Sequence, residues 1–225
     1  MNPTNDIGYD IIENSSQLAQ LVSRIENETT IGVDVEADSM YHFKEKVCLI
    51  QMATAHINVV IDPLVIKDLS ALKPIFKRSD IQKIFHGADY DVRSLYRDFK
   101  FNINNLFDTE LASRFLGFPE TGLDAVLKKK FAVTLDKKFQ RKDWSRRPLP
   151  REMMAYAAED SRYLLPLAQD LTNELKDRGR FSWVREDCEL LSRVRPVSYT
   201  HLRAHETTSH SAAAGFGVNR GGGGG

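Results

Sequence analysis

Apolar residues recur along this chain with two distinct periods. Ile31, Val33 and Val35 alternate with small or polar positions, as a strand requires, whereas Leu18, Leu21, Val22 and Ile25 share one helical face behind Ser15, a residue suited to a cap. On the same reasoning Tyr9 to Ile12 predicts a short strand. Three β-rich runs, Thr30 to Val35, Val47 to Ala53 and Ile57 to Ile61, have short connections that suit an antiparallel meander. After Asp62-Pro63, the spacing of Leu69, Leu72, Ile75 and Phe76 predicts a helix, and Lys83-Ile84-Phe85 predicts a strand running into a helix from Asp89 to Phe99. Further helices are predicted over Thr109 to Leu116, Gly122 to Lys130, Arg151 to Lys176 and Trp183 to Val194. Strands come in a block and then alternate with helices, so the economical arrangement is a mixed sheet with helices on its faces.

The periodicity stops after Arg195. From Pro196 to Gly225 there is no amphipathic pattern, and Val197 to Thr207 reads like translated sequencing-adapter sequence. The expected organisation is therefore one domain over residues 1–195 and a disordered, non-native tail over 196–225. His201 and His205 stand four apart beside Glu206, but nothing there offers the apolar face a ligating helix needs.

Composition narrows the function classes. Of 225 residues, 42% are hydrophobic and 28% charged, which excludes a disordered chain, and no run approaches the ~20 apolar residues of a membrane span. The 31 basic and 31 acidic side chains cancel, removing the global basicity that often marks nucleic-acid binders. Cys48 and Cys188 are far apart, so neither a disulfide framework nor a zinc knuckle is indicated. The N-terminus lacks a basic region followed by an apolar stretch, and a cytoplasmic location is expected.

Three acidic groupings stand out from this background. On the strand Thr30 to Val35 and its continuation, Asp34 and Glu36 point the same way two residues apart, where like charges repel unless a hard divalent cation such as Mg²⁺ compensates them. After the strand ending at Phe85, His86-Gly87-Ala88-Asp89-Tyr90-Asp91 leads into a helix. Asp89 suits a first turn and Asp91 borders the apolar face, and periodicity does not choose between them. His86 reads as a structural strand-end residue. On the long helix, Tyr156 and Asp160 share one face at four-residue spacing.

Taken in order, DxE on a strand, HGxxxD after a later strand and YxxxD on a late helix resemble the three motifs of the DEDDy exonucleases, the superfamily of ribonuclease D and polymerase proofreading domains. The likeness extends to Val47 through Ala53, Phe139 through Leu149 and Tyr156 through Leu165, and covers roughly Tyr9 to Val194. It implies a ribonuclease H-like three-layer α/β/α fold with a mixed central sheet. It assigns Asp34, Glu36, Asp91 and Asp160 as ligands of two divalent cations, Mg²⁺ or Mn²⁺, and Tyr156 as a fifth catalytic residue that orients the attacking water. The implied activity is 3′-to-5′ hydrolysis of RNA 3′ ends, tRNA precursors among them, releasing nucleoside 5′-monophosphates. A DNA-directed exonuclease of the Werner type shares the same motifs, and a non-catalytic nucleic-acid-binding module would lack them. Ribonuclease D continues into helical HRDC domains, and no such pattern follows Cys188 here.

Charge is also unevenly placed. Between Lys128 and Arg151 ten basic residues face two acidic ones, Asp136 and Asp143. With Phe131, Phe139 and Trp144 interleaved, this stretch is expected to meet single-stranded RNA through Lys137, Lys138, Arg141, Lys142, Trp144, Arg146 and Arg147.

Overall fold

The computed structural model describes residues 8–196. The expected tail, beyond Pro196, lies outside the described residues. In chain order the elements are β1 (Asp10–Ile12), α1 (Ser15–Ile25), β2 (Thr30–Ala37), β3 (Val47–Ala53), β4 (Asn58–Ile61), α2 (Pro63–Ile66), a 3₁₀ turn (Ser70–Leu72), α3 (Lys73–Lys77), β5 (Gln82–Phe85), α4 (Asp89–Phe99), β6 (Leu106–Asp108), α5 (Thr109–Phe115), α6 (Leu123–Phe131), α7 (Arg151–Arg162), α8 (Leu164–Asp177) and α9 (Phe181–Ser192).

One mixed sheet carries the order β1-β4-β3-β2-β5-β6. The pairs β2–β3 and β3–β4 are antiparallel, as the short connections predict, while β1–β4, β2–β5 and β5–β6 are parallel. Every residue of β3 and β4 is buried, so helices cover both faces of the sheet. The side chains of β4 divide by alternation, Val59 and Ile61 packing with α1, α3 and α4, and Val60 packing with Trp144 and with Met153, Met154 and Ala157 of α7.

Three expectations need correction, and one strand was not expected. Asn14, not Ser15, caps α1, its Oδ1 accepting from the Gln17 amide at 2.9 Å. The helix expected around Leu69 to Phe76 is divided into the 3₁₀ turn and α3, because Pro74 has no amide to donate and its ring would strike the carbonyl four residues back in a continuous helix, while α2 before it ends at Lys67, whose φ is +64°. For the same reason Pro166 prevents one helix from running over Arg151 to Lys176. The chain breaks at Tyr163 into α7 and α8. The three-residue β6 is too short for a periodicity to declare it.

Candidate active site

Strand β2 lies between β3 and β5, but its two neighbours are of unequal reach. It is registered against β3 as far as Ala37, whereas β5 pairs only with Thr30, Ile31 and Gly32. The second half of β2, carrying Asp34 and Glu36, therefore has one edge free of strand pairing, and the β5–α4 turn and α4 follow from that side of the sheet. Gly32 shares the face of Asp34 and Glu36. A Cβ there would sit 3.1 Å from both Leu165 Cδ1 and the Ser161 carbonyl, so its absence permits the α7–α8 corner to lie directly on β2. That close approach brings α7, and with it Asp160, over the strand.

Asp34, Glu36 and Asp160 offer carboxylate oxygens that all lie within 4.8 Å of one another. Asp91 stands outside this trio but within its electrostatic reach: its charge acts on Glu36, and that of Asp34 acts on it. Of the two aspartates that periodicity left open, Asp91 is buried beside Val92 and Leu95, whereas Asp89 is exposed and ion-paired with Arg93 at 2.9 Å. The turn that places Asp91 is held by a residue sequence reading did not single out. Gly87 takes φ +72°, and the Asp108 carboxylate accepts from the Gly87 and Ala88 amides at 3.0 and 2.8 Å. Because Asp108 ends β6, an element with no periodic signature, only an acidic residue just before a predicted helix start hinted at this clamp.

Burial governs the electrostatics. It lifts the Asp34 carboxyl to about 7, against a lowering hydrogen bond from the Val35 backbone. Burial, followed by the charges of Asp34 and Glu159, lifts Asp160 to about 8. Glu36 is pushed well above the usual carboxylate range by burial and then by Asp34, Asp160 and Asp91, and Asp91 by burial and then by Asp34 and Asp108. The charges that raise Glu36 are those of three other carboxylates. A set of hard carboxylate oxygens converging in this way fits a divalent cation such as Mg²⁺ or Mn²⁺.

Tyr156 lies one turn before Asp160 on α7. Its ring packs edge-on against Phe139 at 5.7 Å and lies tilted over Trp144 at 6.1 Å. Burial and then the charges of Asp160, Glu36 and Asp34 raise its hydroxyl above its ordinary range, so it keeps its proton and can donate.

The basic stretch is less open than its composition suggests. Trp144 is 1% exposed and forms part of the core under Tyr156, so its indole cannot stack on a base. Arg147 is also committed inward. Its guanidinium meets Asp62 at 2.6 and 2.8 Å and donates to the Cys48 carbonyl at 2.9 Å. Lys137 pairs with Asp124 at 2.7 Å, Lys138 with Glu152 at 3.2 Å and Arg146 with Asp143 at 3.1 Å. Arg141 and Lys142 are exposed, and no ion pair engages either among the described residues. The expected interface is thus corrected at Trp144 and Arg147, which are structural.

A family model described as 3′-5′ exonuclease matches residues 9–176. The chain belongs to this exonuclease family. Among curated relatives of this exonuclease, Protein RRP6-like 3 of Arabidopsis thaliana is 40% identical over 169 residues, covering 75% of this chain and 19% of the relative. Exosome complex component 10 of Homo sapiens is 34% identical over 178 residues, covering 79% and 20%. The exonuclease therefore spans about a fifth of the length of the curated relatives it matches. Among solved structures, the catalytic core of RRP6 from Trypanosoma brucei superposes with a TM-score of 0.82 at 34% identity, over 86% of this chain and 55% of that one. Escherichia coli RNase D, described as an exoribonuclease involved in structured RNA processing, superposes at 0.78 and 30%, over 83% and 50%. The expected ribonuclease H-like architecture and the ribonuclease D likeness both hold.

Proposed function

We propose that this domain is a metal-dependent 3′-to-5′ exoribonuclease, hydrolysing phosphodiester bonds from RNA 3′ ends and releasing nucleoside 5′-monophosphates. The observation that carries this reading is the convergence of Asp34, Glu36 and Asp160 within 4.8 Å, with Asp91 beside them and Tyr156 one helical turn from Asp160. Four carboxylates suffice to hold two divalent cations, Mg²⁺ or Mn²⁺. When bound, such ions supply an activated water and neutralise charge on the phosphate and the departing oxygen. The protein's own contribution is position. β2 fixes Asp34 and Glu36, the Asp108-clamped turn fixes Asp91, and the Gly32 contact fixes Asp160. The Tyr156 ring is held against Phe139 and Trp144, and its protonated hydroxyl, toward the acids, would donate a hydrogen bond that orients the attacking water.

RNA as the substrate is supported by the RRP6 and RNase D relatives, and structured RNAs such as tRNA precursors are one class that this activity would serve. Arg141 and Lys142 are the exposed cations that would guide the strand's phosphates. The deciding experiment incubates matched 3′-labelled and 5′-labelled RNA and DNA oligomers with Mn²⁺ and with chelator. Stepwise shortening of 5′-labelled RNA and early release of labelled mononucleotide from the 3′-labelled strand, both abolished by chelator, are expected. Internal cuts, metal-independent cleavage or a preference for DNA would overturn the reading.

A further inference from the structure

The turn between β5 and α4 carries a side chain that the chemistry above leaves unused. His86 is held by its Nδ1, 2.9 Å from Thr109 Oγ1, and the Thr109 hydroxyl in turn lies 2.9 Å from the Phe85 carbonyl. These contacts fix the ring. Its other nitrogen, Nε2, is buried and meets no group at full hydrogen-bond geometry among the described residues, although the Thr121 backbone lies near enough to act on the ring. Leaving a ring nitrogen buried and unpaired costs about 1–3 kcal/mol, so such a group at a functional site points to a partner supplied from outside the chain.

The surroundings identify the chemistry of that partner. His86 lines a cavity of about 320 Å³ whose walls also include Asp34, Tyr156 and Asp160, so the imidazole shares its space with the groups that take the scissile phosphate. Glu110, Asp124 and Asp136 line the same cavity, and its one lysine, Lys137, is paired with Asp124. Acidic walls disfavour a second phosphate beside His86. What lies covalently next to the scissile phosphate on either side is a sugar. The Thr109 hydroxyl gives its one proton to the Phe85 carbonyl, so in the neutral ring Nδ1 donates to Thr109 and Nε2 is left an acceptor, which a sugar hydroxyl satisfies by donating. Every 3′ oxygen inside the strand is esterified, and the 2′-hydroxyl is the free hydroxyl present on both flanking sugars of RNA and on neither sugar of DNA.

We propose that His86 Nε2 hydrogen-bonds the 2′-hydroxyl of a nucleotide flanking the scissile phosphate and thereby supplies part of the domain's preference for ribose. The proposal rests on the exonuclease reading and refines its substrate class. It makes His86 a specificity residue that touches the sugar, with the Thr109 hydroxyl positioning the ring.

The test uses the full chain and RNA oligomers of one sequence: all-ribose, a single 2′-deoxy sugar at the terminal or at the penultimate position, and a 3′-deoxy terminus. Single-turnover rates of removal of the last nucleotide are measured for wild type, His86→Ala and His86→Gln, with melting curves as a fold control. Wild type should lose about tenfold on one of the two 2′-deoxy strands. His86→Ala should be slower on all-ribose RNA by a similar factor and show no further 2′-deoxy loss, and His86→Gln, which keeps a hydrogen-bonding tip, should recover part of the discrimination. A 2′-deoxy penalty that persists in His86→Ala, a wild type with no penalty at either position, or a histidine-dependent penalty confined to the 3′-deoxy strand would each overturn the proposal. If wild type hydrolyses neither RNA nor DNA, the exonuclease reading fails instead. The inference is then judged by equilibrium binding, in the presence of Mn²⁺, of a diribonucleotide and its two singly 2′-deoxy forms, where equal affinities of all three in wild type would overturn it.

Discussion

Two groups of buried carboxylates in this domain are treated in opposite ways. Asp62, 2% exposed, receives a two-pronged guanidinium from Arg147 and also accepts the Leu64 amide at 3.0 Å, so that charge and lone pairs are both matched within the chain. Asp34, Glu36 and Asp160, by contrast, face one another, and the charges that raise Glu36 are those of three other carboxylates. The fold can neutralise a buried acid where neutrality serves stability. On the proposed exonuclease reading, the countercharge for the second group comes from solution as a bound cation, and the repulsion among the acids is what that cation relieves.

The sharpest way to break this contrast is to remove a carboxylate from each side. Asp160→Asn should lower turnover by about a thousandfold, equivalent to about 4 kcal/mol of transition-state stabilisation, while raising the melting temperature measured in chelator, since one member of a repelling set has become neutral. Steady-state rates on RNA and melting curves check both halves. A folded Asp160→Asn protein with wild-type turnover would remove the acid from the reaction.

On the other side, Arg147→Met leaves Asp62 buried without its partner and should cost about 3–5 kcal/mol of folding stability. Denaturant titration reads this directly. Adding Asp62→Asn should recover part of the loss, since no charge is then left buried and the carboxamide oxygen can still cap α2, but not all of it, because the guanidinium's bonds to the Cys48 and Trp144 carbonyls stay lost. An unchanged midpoint for Arg147→Met would place the pair among the weak surface bridges.

These two regions were unequally legible in the sequence. The acids announced themselves because Asp34 and Glu36 interrupt a strand on one face, and Tyr156 and Asp160 share a helical face, patterns that survive without coordinates. Asp91 could not be separated from Asp89 by periodicity, since both occupy the first turn of α4. Burial of one and pairing of the other with Arg93 separate them. The pairing of Asp62 with Arg147 spans 85 positions and leaves no local trace. The same is true of the Asp108 clamp and of the contact that requires glycine at position 32. Trp144 misled because a tryptophan among lysines and arginines reads as a stacking surface, and only tertiary packing shows it beneath Tyr156. The sheet and most helices followed from alternation and spacing. The breaks at Pro74 and Pro166 were visible as prolines but were overridden by the apolar pattern around them.

Titration sharpens the comparison next. Asp34 and Asp160 have folded-state values near 7 and 8, raised by burial above the ordinary 3.8, so their favourable contribution is fully present below about pH 4 and is lost as pH rises through those values. In chelator, the melting temperature should therefore fall between about pH 6 and about pH 8.5. A tenfold change in proton affinity on folding is worth about 1.4 kcal/mol, and each kcal/mol moves the midpoint by about 2–4 °C for a domain of this size. With Mn²⁺ the slope should flatten or reverse, because the ion binds the deprotonated carboxylates and binds them more tightly as pH rises. Scans over this range with and without the ion check the sign. A metal-free protein that becomes more stable from pH 6 to pH 8.5 would contradict the electrostatic account of the site.

The smallest effect is expected at the residue that touches both environments. Tyr156 lies against Trp144 and Phe139 through its ring and reaches toward the acids through its hydroxyl, so Tyr156→Phe keeps the packing and removes only the donor. Turnover should fall by about ten- to hundredfold, or about 1.4–2.7 kcal/mol, with stability and metal affinity nearly unchanged, because the carboxylates that would hold the ions are intact. Tyr156→Ala should add a loss of melting temperature as the core around Trp144 opens. The two variants separate the orienting role of the hydroxyl from the packing role of the ring. If Phe and Ala at this position were equally slow and equally unstable, the tyrosine would belong with the core tryptophan rather than with the acids, and the water would have to be oriented by the carboxylates alone.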